Sequence, residues 1–263
     1  MRTLILQSYR QDDVPEWIRL CLDSVDAWAK SYQFDYEFLD DRFFGYAPAW
    51  FTKKCGTEHF YPVADIARLH ALRERLQQGY DRAIWFDADV LVFAPSALQI
   101  ISGSGYAFCH EVVLWVRPDG FAPGAPSINN SVMVFEKGNP MLDFYLFAAE
   151  EIVRHREIAK FSRTMIGPKF LTDLACAMPI NRLIHVGLFT PPLMAAFASG
   201  DAGLPAMYRR AFGYPIAAAN LCHFLRGAAQ PAERAALDTV FLGAARRLLE
   251  SAGSVANPQI NGQ

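Results

Sequence analysis

Two aspartates interrupt a long apolar stretch, and this feature constrains the fold more than any other. Residues 84–93 read Ile-Trp-Phe-Asp-Ala-Asp-Val-Leu-Val-Phe, so Asp87 and Asp89 stand between two runs that are typical of buried strands. Side chains two positions apart in an extended chain point to the same side. Because unpaired buried charge is costly, both carboxylates would need a cation. The alternative is a turn at the strand end, in which the aspartates cap backbone amides.

Carboxylate oxygens are the ligands that Mg²⁺ and Mn²⁺ prefer, especially where substrate phosphates complete the coordination shell. The pair Asp87 and Asp89 therefore predicts a divalent-metal site that binds a diphosphate.

Strands and helices are predicted to alternate on the amino-terminal side of this stretch. Residues 3–6 form a short apolar run, and the alternating residues 34–39 predict a second strand. Helical spacing of apolar residues follows Pro15 and recurs over residues 63–73. This order favours an α/β fold, whose mixed, mostly parallel central sheet is flanked by helices.

The chain of 263 residues shows neither a repeat nor an internal linker, which predicts one domain over residues 1–250. Residues 251–263 are rich in Gly, Asn and Ser, and we expect them to form a disordered tail. The net charge of −2 gives no electrostatic reason to expect nucleic-acid binding.

The sequence favours a soluble protein of a reducing compartment. No apolar window is long enough for a membrane-spanning helix, and residues 3–6 are too short for a signal-peptide core. Five dispersed cysteines without a Cys-x-x-Cys spacing predict reduced, mostly buried thiols. We therefore expect a cytoplasmic location.

Polar residues follow the first two predicted strands. Gln7, Ser8 and Tyr9 come directly after residues 3–6, and Asp40 follows the second strand. Ligands of open α/β sheets bind just beyond the carboxyl ends of strands, which makes these four residues candidates for nucleotide binding. For the three residues after the first strand, a plain loop is an equal alternative.

Asp65 and Arg68 lie three positions apart in the helical segment before the central strand, so they share one helix face. As an exposed ion pair they would contribute little to stability. Asn129 and Asn130 precede another buried strand, and His223 stands in an otherwise apolar run. For such a histidine the alternative to a ligand role is a core imidazole.

Taken in order, several of these segments resemble GT-A glycosyltransferases, which use nucleotide-sugar donors and a metal bound by Asp-x-Asp. The glycogenin and lipopolysaccharide galactosyltransferase family has an Asp-x-Asp strand similar to residues 85–92. Its FNSGVMVF-like segment is similar to residues 128–135, where Ser131 replaces the usual glycine. Its HFxG segment is similar to residues 223–227, with one additional residue before the glycine.

A second retaining family is also similar, namely the DXD family of fungal mannosyltransferases and clostridial glucosylating toxins. Its SDxxR helix resembles residues 64–68 without the serine, and its GP-x-x-LT segment resembles residues 167–172. Together the resemblances span most of residues 3–227.

The resemblance implies a single, Rossmann-like GT-A domain and a set of site residues. By carry-over, Mn²⁺ or Mg²⁺ would be bound by Asp87, Asp89 and His223, and Asp87 could instead contact the donor ribose. The sugar pocket would include Asp65, Arg68, Asn129 with Asn130 as the second choice, and Asp173. Asp87, Asp89 and Asp173 would then be the catalytic residues.

The implied activity is transfer of a hexose from a nucleoside-diphosphate sugar, with UDP-sugars favoured, to a glycan, a lipid-linked or another hydroxyl acceptor. Anomeric configuration would be retained, and polysaccharide biosynthesis is the expected setting. Peripheral membrane association and the oligomeric state are left open.

Two other functions are compatible with the residues. A phosphatase of the haloacid-dehalogenase type also carries Asp-x-Asp after a strand, but it usually has Asp-x-Asp-x-Thr or Val at its first strand. Here Leu91 occupies the fifth position and two strands precede the motif. A non-catalytic nucleotide-sugar-binding protein would keep Asp87 and Asp89 without turnover.

Overall fold

The computed structural model describes residues 1–100, 103–118, 120–224 and 230–258. The strands in chain order are β1 Thr3–Ser8, β2 Asp35–Leu39, β3 Arg82–Phe86, β4 Val90–Val92, β5 Tyr106–Glu111, β6 Leu114–Arg117, β7 Gly120–Pro123, β8 Ser127–Glu136, β9 Arg182–Leu183, β10 Val186–Leu188 and β11 Ala218–Asn220. The helices described here are α1 Glu16–Ser31, α2 Ala49–Cys55, α3 Phe60–Gln77, α4 Pro140–His155, α5 Pro168–Ala177, α6 Pro191–Ser199, α7 Gly203–Phe212 and α8 Pro231–Glu250.

A six-stranded sheet in the order β2-β1-β3-β8-β5-β9 forms the centre of the molecule. β1 pairs in parallel with both β2 and β3, and β5 pairs in parallel with β9. β8 runs antiparallel to both of its neighbours, β3 and β5. The expected α/β fold with a mixed, mostly parallel sheet is therefore confirmed.

Helices cover both faces of this sheet, which is why every residue of β3 is buried. On one face, Val25 and Trp28 of α1 pack with Ile5, Ile84 and Phe86. On the other face, apolar residues of α3 and α4 pack against the opposite side chains of β1 and β3. These are Ile66, Leu69, Leu72, Tyr145, Leu4, Leu6 and Trp85.

A second, three-stranded sheet has the order β10-β11-β4. Only three residues separate β3 from β4, so the chain leaves the central sheet and enters the second one within a single turn. The amide of Val90 donates to the carbonyl of Asp87 over 3.1 Å and closes this turn. Asp87 and Asp89 thus stand at the junction of the two sheets.

Three segments whose sequence shows no clear periodicity contain regular elements. Residues 41–62 contain a 3₁₀ helix at Asp41–Tyr46 followed by α2. The Pro- and Gly-rich segment 118–126 contains β7, which pairs antiparallel with β6. Residues 190–215 contain α6 and α7, which begin and end at Pro and Gly positions typical of helix boundaries.

The expected disorder of the tail is wrong for residues 251–258. Ser254–Ala256 form a 3₁₀ helix, and Asn257 makes two hydrogen bonds of 2.8 Å with the backbone of Ile216, one to its amide and one to its carbonyl. Because buried backbone groups need partners, Asn257 anchors the tail. Residues 259–263 lie outside the described part of the chain.

All five cysteines are free thiols, as the sequence predicted, and all except Cys176 are buried. None of the helices in the described ranges combines the length and apolar character needed to cross a membrane.

We expect Asn257→Ala to lower the free energy of unfolding by about 1–3 kcal/mol, because the amide and carbonyl of buried Ile216 lose their partners. Urea denaturation measures this change. Ser254→Ala, at an exposed position of the same 3₁₀ helix, is the matched control and should be near neutral. Equal midpoints for both variants would contradict an anchoring role of Asn257.

Candidate functional site

A cavity of about 670 Å³ opens beyond the carboxyl ends of β1, β3 and β5. β1 and β3 are parallel. β5 runs in the same direction as β3, because both strands are antiparallel to β8, which lies between them. Residues that follow these strands therefore meet at one edge of the sheet. The polar residues among those lining the cavity include Ser8, Tyr9, Asp65, Arg68, Asp87, Asp89, Glu111, Asn129, Asn130, Arg163, Thr190, Asn220 and His223.

The backbone of Asp87 is fixed from two directions. Its amide donates to the carbonyl of Ser131 over 2.7 Å, and its carbonyl accepts from the side chain of Gln7 over 3.2 Å. One carboxylate oxygen, Oδ1, accepts from Trp85 Nε1 at 2.7 Å and from Arg68 Nη1 at 2.9 Å. Among the described residues, none donates to the other oxygen, Oδ2. Asp87 is thus held in place while one oxygen stays free for a ligand.

Arg68 is the centre of a buried ion network. Its side chain is only 11% exposed and lies between two carboxylates, with Nη2 3.3 Å from Asp65 and Nη1 2.9 Å from Asp87. Nη1 also donates to the carbonyl of Asn130, and the guanidinium packs over the ring of Trp85. The alternative of an exposed surface pair between Asp65 and Arg68 is therefore wrong.

The cavity wall carries more negative than positive charge. Five acidic side chains line it: Asp41 is exposed, and Asp65, Asp87, Asp89 and Glu111 are largely buried. Of the described residues that line the cavity, Arg68 is the one buried cation. Burial raises the pKa of Asp65 to about 6, although Arg68 and Asn130 oppose the shift. Burial also raises the pKa of Asp87 and of Asp89. This excess of carboxylates suits a further cation.

Asp89 binds the chain that follows β11. Its Oδ1 accepts from Asn220 Nδ2 at 2.7 Å, and its Oδ2 accepts from the backbone amide of His223 at 2.8 Å. Its carbonyl accepts from the amide of Leu221. The contact with His223 is of the amide-capping kind that the sequence left open for this aspartate.

The imidazole of His223 does not join the two aspartates. Its Nε2 shares a hydrogen bond of 3.2 Å with Tyr9 Oη, and its ring contacts the rings of Tyr9 and Trp17. Within the described ranges, no three His, Cys, Asp or Glu side chains come together to hold a metal ion. The ligand set Asp87, Asp89 and His223 is therefore not assembled, because the backbone of His223 rather than its ring reaches Asp89. The rest of that motif, residues 225–227, lies outside the described residues.

Two of the residues expected to bind nucleotide do not reach the cavity, whereas Ser8 and Tyr9 do. Gln7 is completely buried, and its amide group is used by the Asp87 carbonyl and by Tyr36. Asp40 caps the following 3₁₀ helix by accepting from the amide of Arg42, with which it also forms an ion pair. Both residues shape the site's surroundings without lining it.

Asn129 and Asn130 both line the cavity, and each is held by a carboxylate. Asn129 donates to Glu111 over 2.6 Å, and Asn130 donates to Asp65 over 2.9 Å. Asp173, in contrast, is 65% exposed and pairs with Lys169. Its neighbour Thr172 faces β8 and accepts from the amide of Ile128, and one residue along a helix turns the side chain by about 100°. The predicted catalytic role of Asp173 has no support in this geometry.

Glu111 was missed in the sequence. It ends β5 and is only 7% exposed to solvent. Its two carboxylate oxygens accept hydrogen bonds from Asn129 and from Ser127. Burial raises the pKa of this carboxyl against both hydrogen bonds. An acid that ends an apolar strand was the available signal, but only the sheet order shows that β5 and β3 end at the same edge.

Comparison with known proteins rests on three-dimensional similarity, because no protein-family model and no curated protein matches the sequence. The crystal structure of a glycosyltransferase involved in the glycosylation of the major capsid of PBCV-1 matches with a TM-score of 0.51 and 12% identity. The match covers 92% of this chain and 99% of that one. This likeness shows that the chain has the fold of that glycosyltransferase.

Two other structures match with TM-scores below 0.5. Mouse xyloside xylosyltransferase 1 gives 0.43 at 12% identity and covers 84% of this chain and 98% of that one. The Drosophila β1,4-galactosyltransferase 7 mutant in complex with manganese, UDP-Gal and xylobiose gives 0.29 at 12% identity, with 59% and 63% covered.

We expect Arg68→Met to lower the free energy of unfolding by about 3–5 kcal/mol, because Asp65 and Asp87 would stay buried without their shared cation. Arg73→Met is the matched control on the same helix, since its guanidinium is partly exposed and contacts His70. Denaturant unfolding followed by circular dichroism compares the two variants. A similar small loss in both would contradict a central role of Arg68.

Proposed function

We propose that this protein is a metal-dependent glycosyltransferase. It moves a hexose from a nucleoside-diphosphate sugar, with UDP-sugars favoured, to a hydroxyl of a glycan or lipid-linked acceptor. The observation that carries the proposal is the pair Asp87 and Asp89 at the junction of two sheets, facing a cavity beyond the carboxyl ends of β1, β3 and β5. The fold shared with a glycosyltransferase of known structure supports it.

The donor set suits a divalent cation. The free oxygen of Asp87 and the carboxylate of Asp89 would hold Mn²⁺ or Mg²⁺, which commonly takes one or two carboxylates and completes its shell with substrate phosphate and water. The surplus of buried carboxylates around the cavity favours the same occupant. When bound, such an ion neutralises negative charge on a departing diphosphate.

The sugar would lie against two prearranged groups of polar side chains. One is the pair Asp65 and Asn130, and the other is the pair Glu111 and Asn129. Hydrogen bonds within each pair fix the side chains before a ligand arrives, so less entropy is lost on binding. Arg68 uses its Nη1 donors on Asp87 and Asn130, which makes it a positioning residue for the carboxylates rather than a primary sugar contact.

The diphosphate would also meet two exposed guanidinium groups. Arg10 and Arg163 line the cavity, and neither pairs with a carboxylate in the part of the chain that the structure describes. Arg163 lies over the rings of Tyr61 and Phe224 at 5.4 and 5.7 Å. Guanidinium groups bind phosphate oxygens strongly, so these two suit the charged half of the donor.

The reaction would proceed with retention. The acceptor oxygen bonds to the anomeric carbon on the face that the diphosphate leaves, while the bond from that carbon to the diphosphate oxygen breaks. The acceptor's hydroxyl proton passes to the departing diphosphate. Carboxylates of Asp65 and Glu111, held by their amide partners, are suited to stabilise the positive charge that develops on the sugar ring.

The proposal is tested with a panel of UDP- and GDP-sugars in the presence of Mn²⁺. If the protein is a transferase, one donor raises its melting temperature, and the enzyme slowly hydrolyses that donor and releases the nucleoside diphosphate. A binding protein would show the thermal shift without release, and a haloacid-dehalogenase-type phosphatase would ignore nucleotide sugars and cleave phosphomonoesters. Absence of both shift and release across the panel would overturn the proposal.

We expect Asp89→Asn to weaken Mn²⁺ binding by at least about 10-fold, since loss of even an indirect ligand contact can cost that much. Donor hydrolysis should fall with it. Electron paramagnetic resonance measures free Mn²⁺ independently of turnover. Asp173→Asn is the control, because this exposed carboxylate lies outside the cavity. Unchanged Mn²⁺ affinity in Asp89→Asn would remove the carboxylate from the proposed metal site.

Arg163→Ala should weaken binding of the free nucleoside diphosphate by about 10- to 150-fold, the equivalent of one lost charge-assisted hydrogen bond. Calorimetric titration with UDP and GDP measures the change. The control is Arg156→Ala, an exposed arginine at the carboxyl end of α4 that does not line the cavity. If both variants bind like the wild type, Arg163 does not contact the diphosphate.

A further inference from the structure

One edge of the cavity runs from a buried acid to an exposed indole. Glu111, Val113 and Trp115 are spaced two residues apart, and all three line the cavity. Alternate residues of an extended chain face the same side, so this spacing makes one continuous wall. Glu111 lies at its buried end, whereas Trp115 is 54% exposed at the other.

Trp115 stands on a hairpin that forms a small sheet of its own. β6 pairs antiparallel with β7, placing Trp115 opposite Ala122. The hairpin is fastened at its base, where the amide of Gly124 donates to the carbonyl of Val113 over 2.8 Å. The indole lies against this base, because a Cβ added to Gly124 would be 2.7 Å from Trp115 Nε1. Glycine at this position therefore leaves room for the indole beside the main chain.

On the same side of the site, the hydroxyl of Thr190 has no hydrogen-bond partner among the described residues. β10 packs against β5 and leads to Thr190, which lines the cavity and is 4% exposed. The buried Oγ1 of Thr190 makes no hydrogen bond with any residue that the structure describes. Burying an unpaired hydroxyl is unfavourable, so this atom is suited to a polar ligand.

This wall is separate from the one assigned to the nucleotide. In the sheet order, β1 lies on one side of β3, whereas β8 and β5 lie on the other. Ser8, Tyr9 and Arg10 therefore approach Asp87 from the opposite side to Glu111. A donor bound along β1, with its diphosphate at Asp87 and its sugar reaching Glu111, leaves the outer part of the β5 side, at Val113 and Trp115, open to the second substrate.

We propose that Val113 and Trp115 form the acceptor subsite next to Glu111 and that Trp115 is the platform on which a sugar ring of a glycan acceptor stacks. This inference rests on the proposed function. One face of a pyranose ring carries mainly C–H groups and packs well on a large aromatic ring, which loses exposed apolar surface in the process. The hydroxyl groups at the ring's edge match the acid and the unpaired hydroxyl deeper in the cavity.

The test compares two reactions of the same enzyme with its preferred nucleotide sugar and Mn²⁺. The first is release of nucleoside diphosphate to water, and the second is the additional release caused by a panel of methyl glycosides and disaccharides. We expect Trp115→Ala to raise the acceptor KM by about 10-fold, the equivalent of losing one good aromatic contact. Hydrolysis by water should stay within about 2-fold of the wild type.

Three further variants make the test specific. Trp115→Phe keeps an aromatic ring and should restore most of the acceptor affinity. Gly124→Ala should raise the acceptor KM although the indole is still present, since the new methyl group displaces Nε1. Val116→Ala changes the neighbouring, 68% exposed residue, which points away from the cavity wall, and should behave like the wild type.

Each outcome either supports or overturns the inference. Equal losses of hydrolysis and transfer in Trp115→Ala would place the indole in the donor site, and no change in either would show that it contacts no substrate. If no saccharide stimulates release or alters the tryptophan fluorescence of the wild type, the carbohydrate platform is overturned. A wild type that releases no nucleoside diphosphate from any donor contradicts the proposed function itself.

Discussion

The site depends on the two ion pairs that the buried guanidinium of Arg68 forms. The guanidinium lies within 3.3 Å of Asp65 and 2.9 Å of Asp87, two carboxylates that come from different secondary-structure elements. Ion pairs of this kind add little to net stability against an apolar replacement, but losing one partner leaves an uncompensated buried charge. The ion pair between Arg68 and Asp87 therefore fixes the position of α3 relative to the turn after β3. Asn130 of β8 joins the same network, so three elements are held in register around the cavity.

A turn shared by two sheets explains how charged residues come to occupy the middle of an apolar stretch. β3 and β4 are each fully buried, but they belong to different sheets. Between them the chain belongs to neither sheet: the amide of Asp87 donates to the carbonyl of Ser131 in β8, and other polar groups pair with the side chain of Gln7 and the backbone amide of His223. The central cavity lies where the two sheets diverge. Neither sheet alone would hold the two aspartates at its edge.

Much of this arrangement could be predicted from the sequence because it depends on local patterns. Apolar runs gave β1 and β3, helical spacing gave α1 and α3, and carboxylates between two runs marked the site. What the pattern could not give was direction around a helix or across a sheet. Asp173 and Thr172 are adjacent, and only packing against β8 decides that Thr172 faces inward. Glu111 likewise required the position of β5 in the sheet.

The prediction of a disordered tail was wrong for a related reason. Gly, Asn and Ser look disordered by composition, yet Asn257 supplies the two hydrogen bonds that the backbone of Ile216 needs. Polar side chains that satisfy distant backbone groups leave no periodic trace in the sequence. The backbone contact of His223 with Asp89 is another case, since a motif shows the residue type but not which of its atoms is used.

The double use of Asp89 has a thermodynamic consequence. From behind, its carboxylate accepts hydrogen bonds from Asn220 and His223, and from the front it faces the cavity. Binding of a cation to this carboxylate and the packing of residues 220–223 against it would therefore be linked equilibria. Linkage is reciprocal: the factor by which an occupant tightens or loosens that segment is the factor by which the segment changes the occupant's affinity. If the proposed ion binds Asp89, residues 220–223 would therefore contribute to its affinity even where they do not touch it.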